Sequence, residues 1–487
     1  MTAPRLDDQP RVILVHPPAR EGVRSLFTFH KNQGLGIKPP LAILTLATHL
    51  RAQGYNRVTC LDTQLGDLTP QQTVEAVAAE RPDVVGLTVW TDFWYPAWRT
   101  VELIRQRLPR CLIVLGGPHC AIYPAQTLAA SRADFLIAGE GEEVLLELLN
   151  RLQAGEEPLD LDGLWRKEGG RIVEPKEKLA LVRNLDLIPA PDRSLLPIER
   201  YTSVLTPRRY ETTMITSRGC PHRCVFCKMV SQKVHARSAK SVVEEFRTVA
   251  GMGIRDVQIY DDTFTWSKDR VMEICRGLLD LKLGVRWAVR DRVGRADAEM
   301  YSLMRRAGCR RIHFGVESGS PRILAQSGKG ITLQEVRRAV GLAREAGLDT
   351  MAYYMFGFLD ETLEEAWETI RFARELRTDY AVFAVLIPYP GTEIYRAALE
   401  EGIIPFDHWL EFTRNPRPDY RIPHLIEQHL NRRALIDLRD RALRTYYLRP
   451  GRIFKEVKGL RSFRDLAQKS RMALNILQDQ VVRRPCR

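Results

Sequence analysis

No apolar run in this chain of 487 residues comes near the roughly 18 to 20 that cross a bilayer; Val84 to Val89 and Cys111 to Leu115 stop far short. The N-terminus lacks the basic flank and apolar stretch of an export signal. Internal repeats and low-complexity tracts are missing as well. Cysteine is badly spaced for a disulfide framework: there are nine, an odd number, and only three stand close together. These absences lead to the expectation of a soluble, cytoplasmic protein with reduced thiols and one local cysteine site. Acidic excess is lacking too, the net charge being +13, yet residues 431–487 alone hold 16 Lys or Arg against 5 Asp or Glu. The rest of the chain is therefore close to neutral, and no nucleic-acid partner is expected. What the chain does have is 45% hydrophobic and 27% charged residues, enough for two sizeable cores.

The first 155 residues alternate β-rich runs with helical patterns. Strands are predicted at Arg11 to His16, Val58 to Asp62, Val84 to Val89, Cys111 to Leu115 and Phe135 to Ile137. Helices fall at Pro40 to Gln53, Pro70 to Arg81, Tyr95 to Leu108, Pro124 to Ala130 and Glu142 to Leu152. Five βα units make a doubly wound, Rossmann-like sheet, which binds ligands beyond the carboxyl ends of its strands. Those ends include Thr88-Val89-Trp90-Thr91, Gly116-Gly117-Pro118-His119 and Gly139-Glu140-Gly141-Glu142. Small residues there would let a large planar ligand reach the backbone, although Gly and Pro also simply punctuate such loops. A hairpin about Gly169-Gly170 closes a first domain at 1–185, and Pro189, Pro191 and Pro197 mark a linker at 186–205.

A second series follows, with strands at Thr213 to Ser217, Asp256 to Tyr260, Arg286 to Arg290, Arg311 to Glu317, Asp349 to Phe358 and Tyr380 to Ile387. Six βα units imply a partial (β/α)6 TIM barrel over 206–430, with chemistry at the C-terminal mouth of its strands. The fold class expected is thus α/β, two domains followed by a basic helical segment at 431–487.

The loop after the first barrel strand reads Ser217-Arg218-Gly219-Cys220-Pro221-His222-Arg223-Cys224-Val225-Phe226-Cys227. A closed structural zinc site wants four protein ligands, and His222 is too near its neighbours to be a good fourth corner. Three thiolates on a four-iron four-sulfur cluster leave one iron open to a substrate. This spacing, with an aromatic residue before the third Cys, resembles the radical S-adenosylmethionine (radical SAM) superfamily. The other strand ends agree: Tyr260-Asp261-Asp262-Thr263-Phe264, Arg290, Gly315-Val316-Glu317-Ser318-Gly319-Ser320, Gly357-Phe358-Leu359-Asp360-Glu361-Thr362 and Pro388-Tyr389-Pro390-Gly391-Thr392. With its N-terminal sheet, the chain is similar to the cobalamin-binding branch of that superfamily.

The resemblance implies three cofactors: a [4Fe-4S] cluster on Cys220, Cys224 and Cys227, S-adenosyl-L-methionine (SAM), and cobalamin. Phe226 would flank the cluster and the adenine, Asp261 or Asp262 would meet the methionine ammonium, and Arg290 would pair the methionine carboxylate. Glu317, with Ser318 beside it, would bond the ribose hydroxyls, and Gly357 would let the adenine approach. For cobalamin the candidates are Thr88, Gly116, Gly117, His119, Glu140, Gly141 and Glu142. The Asp-x-His-x-x-Gly signature of a lower axial histidine is absent; Asp62-Thr63-Gln64-Leu65-Gly66 stands in that region, placing Gln64 near the lower cobalt face. Cys60 and Cys111 fall within strands, where faces alternate, so they and Cys120 are not expected to converge on a second cluster. Cys275 and Cys309 are expected as core thiols.

The activity implied is reductive cleavage of SAM and methylation of an unactivated carbon, with a cyclase or ring-remodelling reaction, similar to the oxygen-independent chlorophyll ring cyclase, as the alternative. A small-molecule substrate, among which a lipid or pigment would fit, and an electron donor such as flavodoxin or ferredoxin are implied too. In the tail, Ile453, Phe454, Val457, Leu460, Phe463 and Leu466 recur at helical spacing among Arg452, Lys455, Lys458, Arg461 and Arg464. Such a helix can cap the barrel or lie peripherally on an anionic membrane.

Overall fold

The computed structural model describes residues 6–23, 37–158, 160–202, 210–420 and 424–450. Its first sheet contains β1 (Val12–His16), β2 (Val58–Asp62), β3 (Val84–Thr88), β4 (Leu112–Gly116), β5 (Phe135–Ile137), β6 (Leu164–Glu168) and β7 (Arg171–Val173). The order is β2-β1-β3-β4-β5-β6-β7. The first five strands are parallel, and β6 and β7 join antiparallel as the predicted hairpin, now part of the same sheet. Strand β3 is buried at every residue, as a strand covered by helices on both faces must be. Helices Leu41–Ala52 and Glu142–Ala154 pack on one face; Gly54 (φ +96°) and Gly155 (φ +74°) follow them in the left-handed region that ends a helix.

The second sheet contains β8 (Glu211–Met214), β11 (Asp256–Ile259), β12 (Arg286–Asp291), β13 (Cys309–Glu317), β14 (Asp349–Phe356) and β15 (Tyr380–Val385), all parallel in the order β15-β14-β13-β12-β11-β8. A separate two-stranded hairpin joins β9 (Ser217–Arg218) to β10 (His235–Ala236). Strand β8 thus ends before the predicted Ser217, because Thr216 and Ser217 leave the sheet to bond the carboxylate of Asp261. Along β14 the residues Thr350, Ala352, Tyr354 and Phe356 are buried under helices, while Met351, Tyr353 and Met355 are half-buried on the inner face. That inner face carries polar groups among the methionines: Arg290 and His313 share a row of the register with Met351, and Tyr353, in the next, lies with its OH 2.9 Å from His313 Nδ1.

The Pro-rich connection is not a loose spacer. Arg193 within it is 2% exposed and donates to Thr212 Oγ1, the Thr213 carbonyl and Glu245. Glu245, 2% exposed, also receives Arg237. Burial alone would raise its carboxyl, but the two guanidiniums outweigh that and hold it below the usual carboxylate range. The two domains are further tied by Tyr389 OH to Asp92 (2.8 Å), Trp94 Nε1 to the Thr413 carbonyl (3.1 Å) and Tyr201 OH to Asp62 (2.8 Å). Helix Arg432–Tyr447 lies against β15, with Leu435 and Leu438 buried and Tyr447 OH donating to the Ala381 carbonyl at 2.8 Å. Among the described residues no helix is long and apolar enough to cross a membrane. The amphipathic pattern of the tail lies outside the described residues.

Candidate functional site

The three cysteines occupy the loop that the β9–β10 hairpin closes. Gly219 opens it at φ +87°, and a Cβ there would overlap the Lys233 carbonyl, so only glycine fits. Cys220 N donates to the Ser231 carbonyl at 3.2 Å, and Cys227 N turns back to the Cys224 carbonyl at 3.1 Å. Val225 is held from two sides: its N–H donates to the Ser327 carbonyl (3.1 Å) and its carbonyl accepts from Ile394 N (2.9 Å). Desolvation, followed by the neighbouring Cys224, Asp262 and Cys220, pushes the Cys227 thiol up to about 11. The neighbouring thiols and Asp262 oppose ionisation of Cys227, and iron would draw off the negative charge that their ionisation brings together.

Among the described residues no group of three or more His, Cys, Asp or Glu is placed to hold a metal ion. A cluster does not ask for such convergence, since each thiolate binds a different iron. The donor set and its loop therefore fit a cluster.

Around this loop the expected SAM residues separate. Asp262 accepts from Gly219 N at 3.2 Å and lines the cavity described below. Asp261 does not; it is fully buried and accepts from the N–H and hydroxyl groups of both Thr216 and Ser217. Arg290 stands over the Tyr260 ring at 4.1 Å on the inner face. Glu317 ends β13 and pairs with Lys329. Phe226 meets Phe358 edge-on with centroids 6.0 Å apart, next to Gly357.

Two of the expected residues are engaged by the protein itself. Ser318 is fully buried and bonds Thr369 Oγ1 at 3.0 Å, tying the end of β13 to helix Leu363–Leu376. At Gly357 (φ +96°) a Cβ would meet the Leu435 side chain at 3.4 Å, an ordinary contact.

Between the domains lies a cavity of about 470 Å³. One wall is the strand-end set Thr88, Gly116, Gly117, Glu140, Gly141 and Glu142; the opposite wall comes from the barrel, with Ile215, Arg218, Gly219, Met229, Val230 and Asp262. Arg218 bridges the walls, its guanidinium reaching Glu142 at 2.6 Å and Glu140 at 3.4 Å. Helix Leu41–Ala52 adds Leu41, Ala42, Thr45 and Leu46. Aliphatic side chains and bare backbone fit a broad, flat ring.

The glycines play different parts in it. At Gly117 (φ +99°) a Cβ would press on Thr88 Oγ1 at 2.7 Å and on the Val89 backbone, and at Gly139 it would overlap Ala180, so these two serve the loops themselves. Gly116, whose nearest atom would be 3.8 Å away, leaves room for a ligand.

Neither Gln64 nor His119 lines the cavity. Gln64 Nε2 donates to the Pro17 carbonyl at 3.0 Å. His119 is fully buried, stacked on Trp94 at 5.1 Å between Thr91 and Thr413, and burial pushes it down to about 3. Arg218 and Met229, which sequence reasoning did not pick out, carry a signal in hindsight: both flank the cysteine motif, and Arg218 faces two glutamates at a helix start. Cys111 and Cys120 are core residues of the first domain's sheet and Cys60 packs on another part of it, so the three do not converge.

Residues 214–373 match the Radical SAM superfamily, and residues 35–149 match the B12 binding domain. An uncharacterized methyltransferase of Pyrococcus horikoshii is 31% identical over 452 residues, which span 92% of this chain and 94% of that one. The chain belongs to the cobalamin-binding radical SAM enzymes. The enzyme is also 29% identical to the anaerobic magnesium-protoporphyrin IX monomethyl ester cyclase of Rubrivivax gelatinosus, over 84% of this chain and 74% of the relative. Its fold matches that of TsrM, a radical S-adenosylmethionine methyltransferase from Kitasatospora setae solved with cobalamin and a [4Fe-4S] cluster. That likeness has a TM-score of 0.68 over 81% of this chain and 79% of the other, at 22% identity.

Proposed function

We propose that the enzyme methylates an unactivated carbon of a small molecule, with cobalamin in the interdomain cavity, a [4Fe-4S] cluster on Cys220, Cys224 and Cys227, and SAM at the barrel mouth. The observation that carries this is the double wall of the cavity: the strand ends of one domain and the cysteine loop of the other face each other across a single space. Bound there, these groups supply one-electron cleavage of SAM and a methyl donor.

The chain's own part is placement. Asp262 offers a carboxylate to an ammonium, Arg290 a planar fork to a carboxylate, and Glu317 an acceptor to a diol. Thr88, Gly116, Gly141 and the aliphatic wall seat the ring, and Glu140, Glu142 and Arg218 keep the two walls together. No histidine is among the described residues that line the cavity, so that wall would offer a bound cobalamin no imidazole.

Exposed Arg223, Lys228 and Lys233 ring the cysteine loop, and residues 212–243 contain no Asp or Glu. That rim suits a small acidic electron carrier such as flavodoxin or ferredoxin.

The test is anaerobic reconstitution with iron, sulfide and cobalamin, followed by reductant, methyl-labelled SAM and a small-molecule cell extract. The expected result is a labelled product, with S-adenosylhomocysteine and deoxyadenosine formed in equal amounts. Deoxyadenosine with an unlabelled, rearranged product would establish the cyclase reading that the 29% identical relative favours. Absence of deoxyadenosine would reject both.

A further inference from the structure

Glu317 has a partner that neither the motifs nor the proposed chemistry assigns. Its backbone is left-handed, φ +71°, a conformation that a glutamate keeps only where its surroundings hold it. Its Oε1 is engaged by the ammonium of Lys329, and the two side chains are 8% and 9% exposed. Glycine at 315 leaves the pair its space, since a Cβ there would overlap both Glu317 Oε1 and Lys329 Nζ where they stand. Among the described residues no donor engages Oε2.

Lys329 is itself anchored to the cysteine loop. Its N–H donates to Ser327 Oγ at 3.3 Å, and the Ser327 carbonyl accepts from Val225 N, the residue after Cys224. Gly328 (φ +66°) lies so close under this loop that a Cβ would be 2.9 Å from the Arg223 carbonyl.

We propose that Lys329 is a positioning residue: it fixes one oxygen of Glu317, leaves the other for a vicinal diol, the ribose of SAM, and keys that carboxylate to the loop bearing Cys224. The proposal rests on the barrel mouth being the SAM site. An ammonium takes one oxygen as a point charge, whereas a guanidinium fork would take both.

The test compares binding of S-adenosylhomocysteine with that of its 2′-deoxyribose analogue by equilibrium dialysis, on reconstituted protein of measured iron content. Wild-type protein should prefer the diol roughly tenfold, the worth of one hydrogen bond to a charged group. K329Q, which loses the charge, and K329R, whose fork covers both oxygens, should each lose that preference at full iron content. E317Q should lose it as well, and E317Q with K329Q should lose no more than either alone.

A Lys329 variant that keeps its iron and the wild-type preference would overturn the proposal. So would loss of iron in both Lys329 variants, since Lys329 would then be holding the cysteine loop and not the diol. Wild-type protein that binds neither ligand, or binds both equally, would instead sink the SAM-site reading on which the proposal rests.

Discussion

The two ligand-facing surfaces of this enzyme are made of different material. In the N-terminal domain the wall is mostly backbone and aliphatic side chain, shaped by where glycines let loops close. At the barrel mouth it is a set of charged or nucleophilic side chains, several with a specific protein partner: Glu317 with Lys329, Asp262 with Gly219 N, Arg290 with the Tyr260 ring. A surface of the first kind selects by shape and tolerates substitution wherever space remains. A surface of the second kind depends on single atoms.

The sharpest break of that contrast is at the cysteines. Cys220→Ala, Cys224→Ala or Cys227→Ala should each take iron from about four per chain toward zero and abolish SAM cleavage, because no spare thiolate is nearby. Iron analysis and deoxyadenosine assay check this, and full iron in any one of them would remove that residue from the ligand set.

Next in size is the joint between the surfaces. Glu245→Ala leaves the Arg193 and Arg237 guanidiniums buried without their carboxylate, an expected loss of about 3–5 kcal/mol in urea unfolding. Since Glu245 is held below the usual carboxylate range, its contribution is present above the unfolded carboxyl value. It fades as pH falls through the folded one, so the deficit of the variant should shrink in acid.

Within the cavity wall the contrast is between neighbours. Gly117→Ala combines a strained φ with a 2.7 Å contact and should cost about 1–3 kcal/mol, with cobalamin content falling and iron kept. Gly116→Ala should leave stability unchanged and weaken only cobalamin binding. Equal thermal melting of the two variants would contradict the division of labour drawn between these glycines.

The smallest effect concerns His119. Buried and held neutral far below physiological pH, it should not reach cobalt. Electron paramagnetic resonance of the Co(II) form should show no nitrogen superhyperfine splitting from a protein imidazole, and none that emerges between pH 6 and 9.

How much was legible beforehand follows the same division. The strands of both sheets could be placed within a few residues because apolar runs between Gly and Pro have few other uses. The cysteine triplet could be read because thiols at that spacing have few structural uses. The place of His119 was not legible, since it follows a Gly-Gly-Pro turn at a strand end while its surroundings, Trp94 and Thr413, come from elsewhere in the chain. Gly117 and Gly139 line the cavity, but whether their missing Cβ also makes room for a neighbouring loop depends on Thr88 and Ala180, not on the glycine. Asp261 and Asp262 are adjacent and chemically identical, and only the departure of Thr216 and Ser217 from β8 assigns one to the core and the other to the cavity. Arg218 and Lys329 went unread because their partners lie 76 and 12 residues away.

The most direct test of the central claim, that one cavity brings cobalamin against the cysteine loop, is electron paramagnetic resonance of the protein reconstituted with both cofactors and reduced so that both are paramagnetic. The account predicts about four irons and one cobalamin per chain, with the Co(II) and cluster signals broadened by each other. Stoichiometric cobalamin with two unperturbed signals, or full iron with no cobalamin, would contradict it.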